Sequence, residues 1–113
     1  MKEKQEKPYI IAVDFDGTLC VNKWPEIGEP YRFLIESLIK AKEQGGKVIL
    51  WTCRTGELLT AAVNWCQEQG LVFDAINENV PEMIEIFGSD SRKVYADAYL
   101  DDRAVNIRKE LLG

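Results

Sequence analysis

The chain has 113 residues, 46% of them hydrophobic and 29% charged, with a net charge of −5. That length suits one domain, residues 1–113, near the lower end of comfortable core size, and the composition is that of a chain that folds unaided. The acidic balance argues against a broad nucleic-acid- or membrane-binding face, although a bound metal and a few local cations can reverse the field inside a cleft. There is no histidine, which removes Ser-His and Cys-His catalysts and His-based metal sites. No secretory h-region and no apolar run long enough to span a bilayer is present. The cysteines, Cys20, Cys53 and Cys66, are an odd number without metal spacing, so reduced thiols and a cytoplasmic location are expected. Cys53 reads as a small buried hydrophobe rather than a nucleophile.

Residues 1–7 form a mixed-charge arm, expected to fray. The apolar run 9–13 reads as a buried strand. Asp14-Phe15-Asp16-Gly17-Thr18 follows it, so two carboxylates stand where a strand ends and a tight turn begins. That arrangement suits one carboxylate for attack on phosphorus and the other for moving protons beside it. Residues 20–28, with Trp24-Pro25, read as a small flap. Pro30 suits a first helical position, and Phe33, Leu34, Leu38 and Ala41 then repeat at helical spacing until Gly45-Gly46. Residues 47–51 form a second strand. Thr55 is placed to cap a helix whose face is Leu58, Leu59, Ala62, Val63 and Cys66. Residues 71–76 read as a third strand, Pro81 opens a short helix to Phe87, residues 98–100 are a fourth strand leading into Asp101-Asp102, and 105–112 look like a closing helix.

Alternating strands and helices predict right-handed βαβ units and a parallel sheet with helices on both faces. Ligands bind such sheets at the carboxyl ends of the strands, where Asp14, Thr52 and Asp101-Asp102 all fall. Trp24 and Tyr31 are candidates to stack on a substrate ring or to shield the core. Asn77 and Asn79 either border the cleft or form Asx turns. Arg54 either forks onto a substrate or joins a surface ion pair.

The order Asp14-Phe15-Asp16-Gly17-Thr18, Thr52, Lys93, Asp101-Asp102 resembles the four motifs of the haloacid dehalogenase superfamily of phosphohydrolases, across residues 9–103. The resemblance implies a Rossmann-like sheet in the order 3-2-1-4. The intervals between motifs are too short for the family's cap domain, so a capless member with an open site is expected. It also implies Asp14 as nucleophile and Asp16 as general acid and base, with Mg²⁺ as cofactor. The metal would be held by Asp14, the backbone carbonyl of Asp16, and Asp102 directly, with Asp101 in support. Thr52 would bind a phosphoryl oxygen, and Lys93 would neutralise charge. Lys93 precedes Asp101 by eight residues, about 26 Å if fully extended. Its role therefore requires a turn at Tyr95-Ala96-Asp97, and Arg92 is the substitute.

A Mg²⁺-dependent phosphatase acting on a phosphomonoester follows from these features. The alternatives are a phosphotransferase using the same aspartyl-phosphate and a non-catalytic phosphoryl-binding domain. The partner is a phosphorylated substrate, either small or bulky enough to cover the pocket itself, with a second copy of the chain as another cover for the open site.

Overall fold

The structure, a computed structural model, describes residues 7–105. In chain order it runs β1 (Ile10–Val13), β2 (Cys20–Lys23), β3 (Glu26–Pro30), α1 (Arg32–Glu43), β4 (Lys47–Leu50), α2 (Gly56–Glu68), β5 (Ala75–Ile76), α3 (Pro81–Phe87) and β6 (Ala98–Leu100). Four strands form a parallel sheet in the order β5-β4-β1-β6, and β2 and β3 form a separate antiparallel hairpin. The expected order 3-2-1-4 counts only four strands. The hairpin adds two more between the first and second of them, so the observed order differs in its numbering.

Apolar residues on both faces explain the continuous character of β1 and β4. Val13, Val48 and Leu50 pack with Phe15, Ile35 and Leu38 of α1, and Ala62 and Cys66 of α2. Ile10, Ala12, Ile49 and Ala75 pack instead with Val80, Met83, Val94 and Ala96. Register then sets the site. Val13 is level with Leu50 on one side and Leu100 on the other. The next residues, Asp14, Trp51 and Asp101, therefore leave the sheet together at one edge.

Several sequence expectations shift. The flap is an ordered hairpin, and Pro30 ends β3 rather than opening a helix; α1 begins at Arg32 behind Tyr31. Phe33 is 86% exposed, and Ile35 and Leu38 are the buried residues of α1. Thr55 occupies the N-cap of α2 without a side-chain cap hydrogen bond. Only Ala75–Ile76 of the third apolar run is a strand. Just before it, the Asp74 carboxylate accepts the Val48 N–H at 2.8 Å and so takes over a ladder contact. Pro81 does open α3, and Gly88 closes it with a left-handed backbone. Between β1 and β4 the described chain holds only the hairpin and α1, with no cap domain. The expected closing helix lies, apart from Val105, outside the described residues, as do residues 1–6 of the arm. Lys7 is anchored by Asp97 Oδ2 at 2.6 Å. No helix among the described residues is long and apolar enough to cross a membrane.

Ile49 is fully buried in β4, which has strand neighbours on both sides. Ile49→Ala is expected to cost about 2–5 kcal/mol, seen as a lower urea midpoint with little change in slope. An unchanged midpoint would show that this side of the sheet contributes little to stability.

Candidate functional site

The turn after β1 is built around the acids it carries. The Asp14 N–H donates to Leu100 O at 2.9 Å and so extends the β1–β6 ladder past the strands. Gly17 has φ +84°, and a Cβ there would run into the Asp102 carboxylate. Thr18 Oγ1 accepts the Asp102 N–H at 3.0 Å and lies 3.5 Å from Asp14 Oδ2. Glycine and threonine thus dock the first turn directly against the segment after β6. As a result, one carboxylate oxygen each from Asp14, Asp101 and Asp102 lies within 4.8 Å of the others.

Such crowding has an electrostatic cost. Burial pushes the Asp14 carboxyl up to about 6, against the pull of the Phe15 N–H, and the charges of Asp101, Asp102 and Asp16 push it in the same direction as burial. All the donors are oxygens, the kind that hard divalent cations prefer.

Asp16 faces elsewhere. Arg54 Nε donates to Asp16 Oδ2 at 2.8 Å and Nη2 to Asp16 Oδ1 at 2.7 Å, forming a bidentate ion pair. The Arg54 residue is 0% exposed. Its guanidinium also donates to Glu26 O of the hairpin at 3.1 Å and to Leu58 O of α2 at 3.3 Å. It lies over the rings of Phe15 and Trp24, 4.9 and 5.1 Å from their centres. The hydrogen bonds to Asp16 hold the guanidinium pKa above its ordinary value against the cost of burial. Thr52 follows β4. Its N–H donates to Asn77 Oδ1 at 2.8 Å, and its Oγ1 accepts the Arg54 N–H at 3.1 Å, which leaves the hydroxyl hydrogen for another acceptor.

A solved structure described as that of a conserved protein from Bacteroides thetaiotaomicron is 43% identical to this chain, with a TM-score of 0.76 over 88% of this chain and 79% of that one. This chain belongs to that protein's family. No family model and no curated protein matches it.

Two cavities meet at the carboxylates and share Asp14, Thr52, Cys53 and Asp101. The first, about 270 Å³, adds Asp16, Asn22, Trp24, Asp102 and Arg103. The second, about 300 Å³, adds Trp51 and Asn77. Asp14, Asp16, Thr52, Trp24, Asp101 and Asp102 are thus brought together, and Trp24 remains 54% exposed with Arg54 under its ring. Arg54 as a substrate ligand is corrected: its burial and its contacts to Asp16, Glu26 and Leu58 make it a strut behind the cavity wall. Lys93 is also corrected. The chain does double back, since Tyr99 Oη donates to Val94 O at 2.6 Å and accepts the Ala96 N–H at 3.1 Å. Yet the Lys93 ammonium ends 5.8 Å from the centre of the Tyr99 ring and lines neither cavity. Tyr31 and Asn79 lie outside both cavities, and Asn79 is buried, accepting the Tyr95 N–H at 2.7 Å. Cys53 is exposed at the shared mouth, not buried. Sequence reasoning missed Arg103, although it directly follows the acid pair, and Asn22, whose position depends on the hairpin.

Two stability predictions follow from these charges. The folded-state pKa of Asp14 is above the ordinary carboxylate value of about 4, so between about pH 4 and 6 the folded chain holds a proton that the unfolded chain has lost. The metal-free protein should therefore lose stability as pH rises through that window. Asp14→Asn should raise its melting temperature at pH 7 and flatten this part of the profile; a lower melting temperature in the variant would contradict the crowding. Arg54→Met should cost about 3–5 kcal/mol, the range for breaking a buried pair, whereas loss of the looser Lys47–Glu82 pair at 3.8 Å should cost under about 1 kcal/mol. Urea titrations of both variants compare the two directly.

Proposed function

We propose that this protein is a Mg²⁺-dependent phosphohydrolase of the haloacid dehalogenase superfamily, Rossmann-like and capless, cleaving a phosphomonoester through an aspartyl-phosphate on Asp14. The observation that carries the reading is the meeting of the Asp14, Asp101 and Asp102 carboxylates within 4.8 Å, beside Thr52, at the carboxyl edge of a parallel sheet. The donor set fits the cofactor: three carboxylates in one cluster, one with its pKa raised by burial and by the others, call for a compensating cation with oxygen preference. Asp14, Asp102 and Asp101 would hold Mg²⁺, and the resemblance adds the Asp16 backbone carbonyl. When bound, the ion lessens repulsion between the phosphoryl oxygens and these acids.

The residues then divide the work. An Asp14 oxygen forms the bond to phosphorus as the ester oxygen leaves, and that leaving oxygen takes a proton from Asp16, which must first release one Arg54 N–H and take up that proton. Asp16 next takes a proton from the water that attacks phosphorus, which breaks the Asp14–phosphorus bond and releases orthophosphate. Arg54 holds the Asp16 carboxylate through two short contacts, the unprotonated form that takes the proton from water. The Thr52 hydroxyl, its oxygen already accepting the Arg54 N–H, donates to a phosphoryl oxygen.

The test is a panel of phosphomonoesters assayed with Mg²⁺. Asp14→Asn should abolish turnover with circular dichroism unchanged, because an amide is a poor nucleophile of nearly the same shape. Asp16→Asn should slow turnover by roughly 10²–10⁴-fold, and chelation should remove activity that added Mg²⁺ restores. Turnover by Asp14→Asn equal to that of the wild type would sink the covalent route.

A further inference from the structure

We infer that Arg103 grips the phosphoryl group, supplying the positive charge that motif order assigns to Lys93; the inference rests on the phosphohydrolase reading above. Among the described residues, Arg103 is the one cationic residue lining either of these two cavities. It is exposed, and among the described residues it forms no ion pair even though it follows Asp101 and Asp102 in the chain. Its N–H donates to Asp101 Oδ1 at 2.9 Å, a contact that ties its backbone to the acid cluster.

Several of the other described cations are engaged. Arg54 is buried against Asp16, and Lys93 stands over Tyr99. Lys7, Lys42 and Lys47 are paired with Asp97, Asp74 and Glu82. A phosphomonoester dianion entering this cavity meets Asp14, Asp16, Asp101 and Asp102. One divalent ion does not balance those charges together with the substrate's own. A guanidinium at the cavity wall, free to present two parallel N–H groups, matches two phosphoryl oxygens in geometry as well as charge.

The experiment is calorimetric titration of the full chain with inorganic orthophosphate at saturating Mg²⁺, comparing wild type, Arg103→Gln, Arg103→Lys, Lys93→Gln and Asp102→Asn, with circular dichroism to confirm folding. Arg103→Gln should bind phosphate about tenfold or more weakly, Arg103→Lys should recover part of the loss, and Mg²⁺ binding without phosphate should not weaken in either. Asp102→Asn should lose Mg²⁺ and phosphate together. Wild-type phosphate affinity in Arg103→Gln, with binding still lost in Asp102→Asn, overturns the inference and leaves the phosphohydrolase site standing. Loss in Lys93→Gln but not in Arg103→Gln overturns it in favour of the lysine. If wild type binds no phosphate and hydrolyses no phosphomonoester, the underlying reading fails and the role of Arg103 fails with it.

Discussion

One buried guanidinium joins the segments from which the site is made. Arg54 reaches Asp16 in the turn after β1, Glu26 O in the hairpin and Leu58 O in α2, while its own N–H contacts the Thr52 hydroxyl. An ion pair removed from water contributes little net stability, because desolvation offsets the attraction. Its geometric consequence is larger. Five N–H groups in a rigid plane dictate where each partner must sit. The rings of Phe15 and Trp24 both pack against it. The hairpin therefore cannot shift far without disturbing the carboxylate of Asp16.

The carboxylate cluster works against the fold in a way that the Arg54 pair does not. Parallel register forces Asp14 and Asp101 to leave the sheet side by side, and Gly17 lets Asp102 close in over the turn. Each contact that stiffens this edge brings like charges closer. The raised pKa of Asp14 expresses that conflict. Such a conflict persists when the surrounding structure over-determines it, and it is relieved when a cation binds. The apolar packing of Ile10, Ala12, Val13, Ile49 and Leu50 supplies the over-determination.

Much of this was legible in the sequence because buried parallel strands are apolar throughout. Residues 9–13 and 47–51 stand out on composition alone, and polar residues just beyond a strand end mark the ligand edge. The hairpin was not legible in this way. Its strands are short, largely exposed and without a clear alternation, so its residues read as a loop. The 71–76 run was over-read because a side chain, that of Asp74, takes a bond that a strand would otherwise make through its backbone. Arg54 was read as a substrate ligand or a surface ion-pair partner because arginine is usually exposed. Only three-dimensional contact shows Asp16 and two carbonyls waiting for it. The misplacement of Lys93 has a similar origin: its side-chain position depends on how the chain doubles back beside Tyr99, which spacing does not encode.

Under the proposed reaction, with no cap among the described residues, recognition would fall to the hairpin and to the segment after β6. Asn22 and Trp24 of the hairpin line the first cavity, as do Asp102 and Arg103 after β6. Trp24 has an exposed surface even though Arg54 lies beneath its ring. A planar group resting on Trp24 would stack on a ring that already contacts the guanidinium. Under the proposed reaction, the far end of the substrate would thus press on the same assembly that holds the Asp16 carboxylate. Binding energy gathered away from phosphorus can then be felt at the proton donor without any domain closing over it.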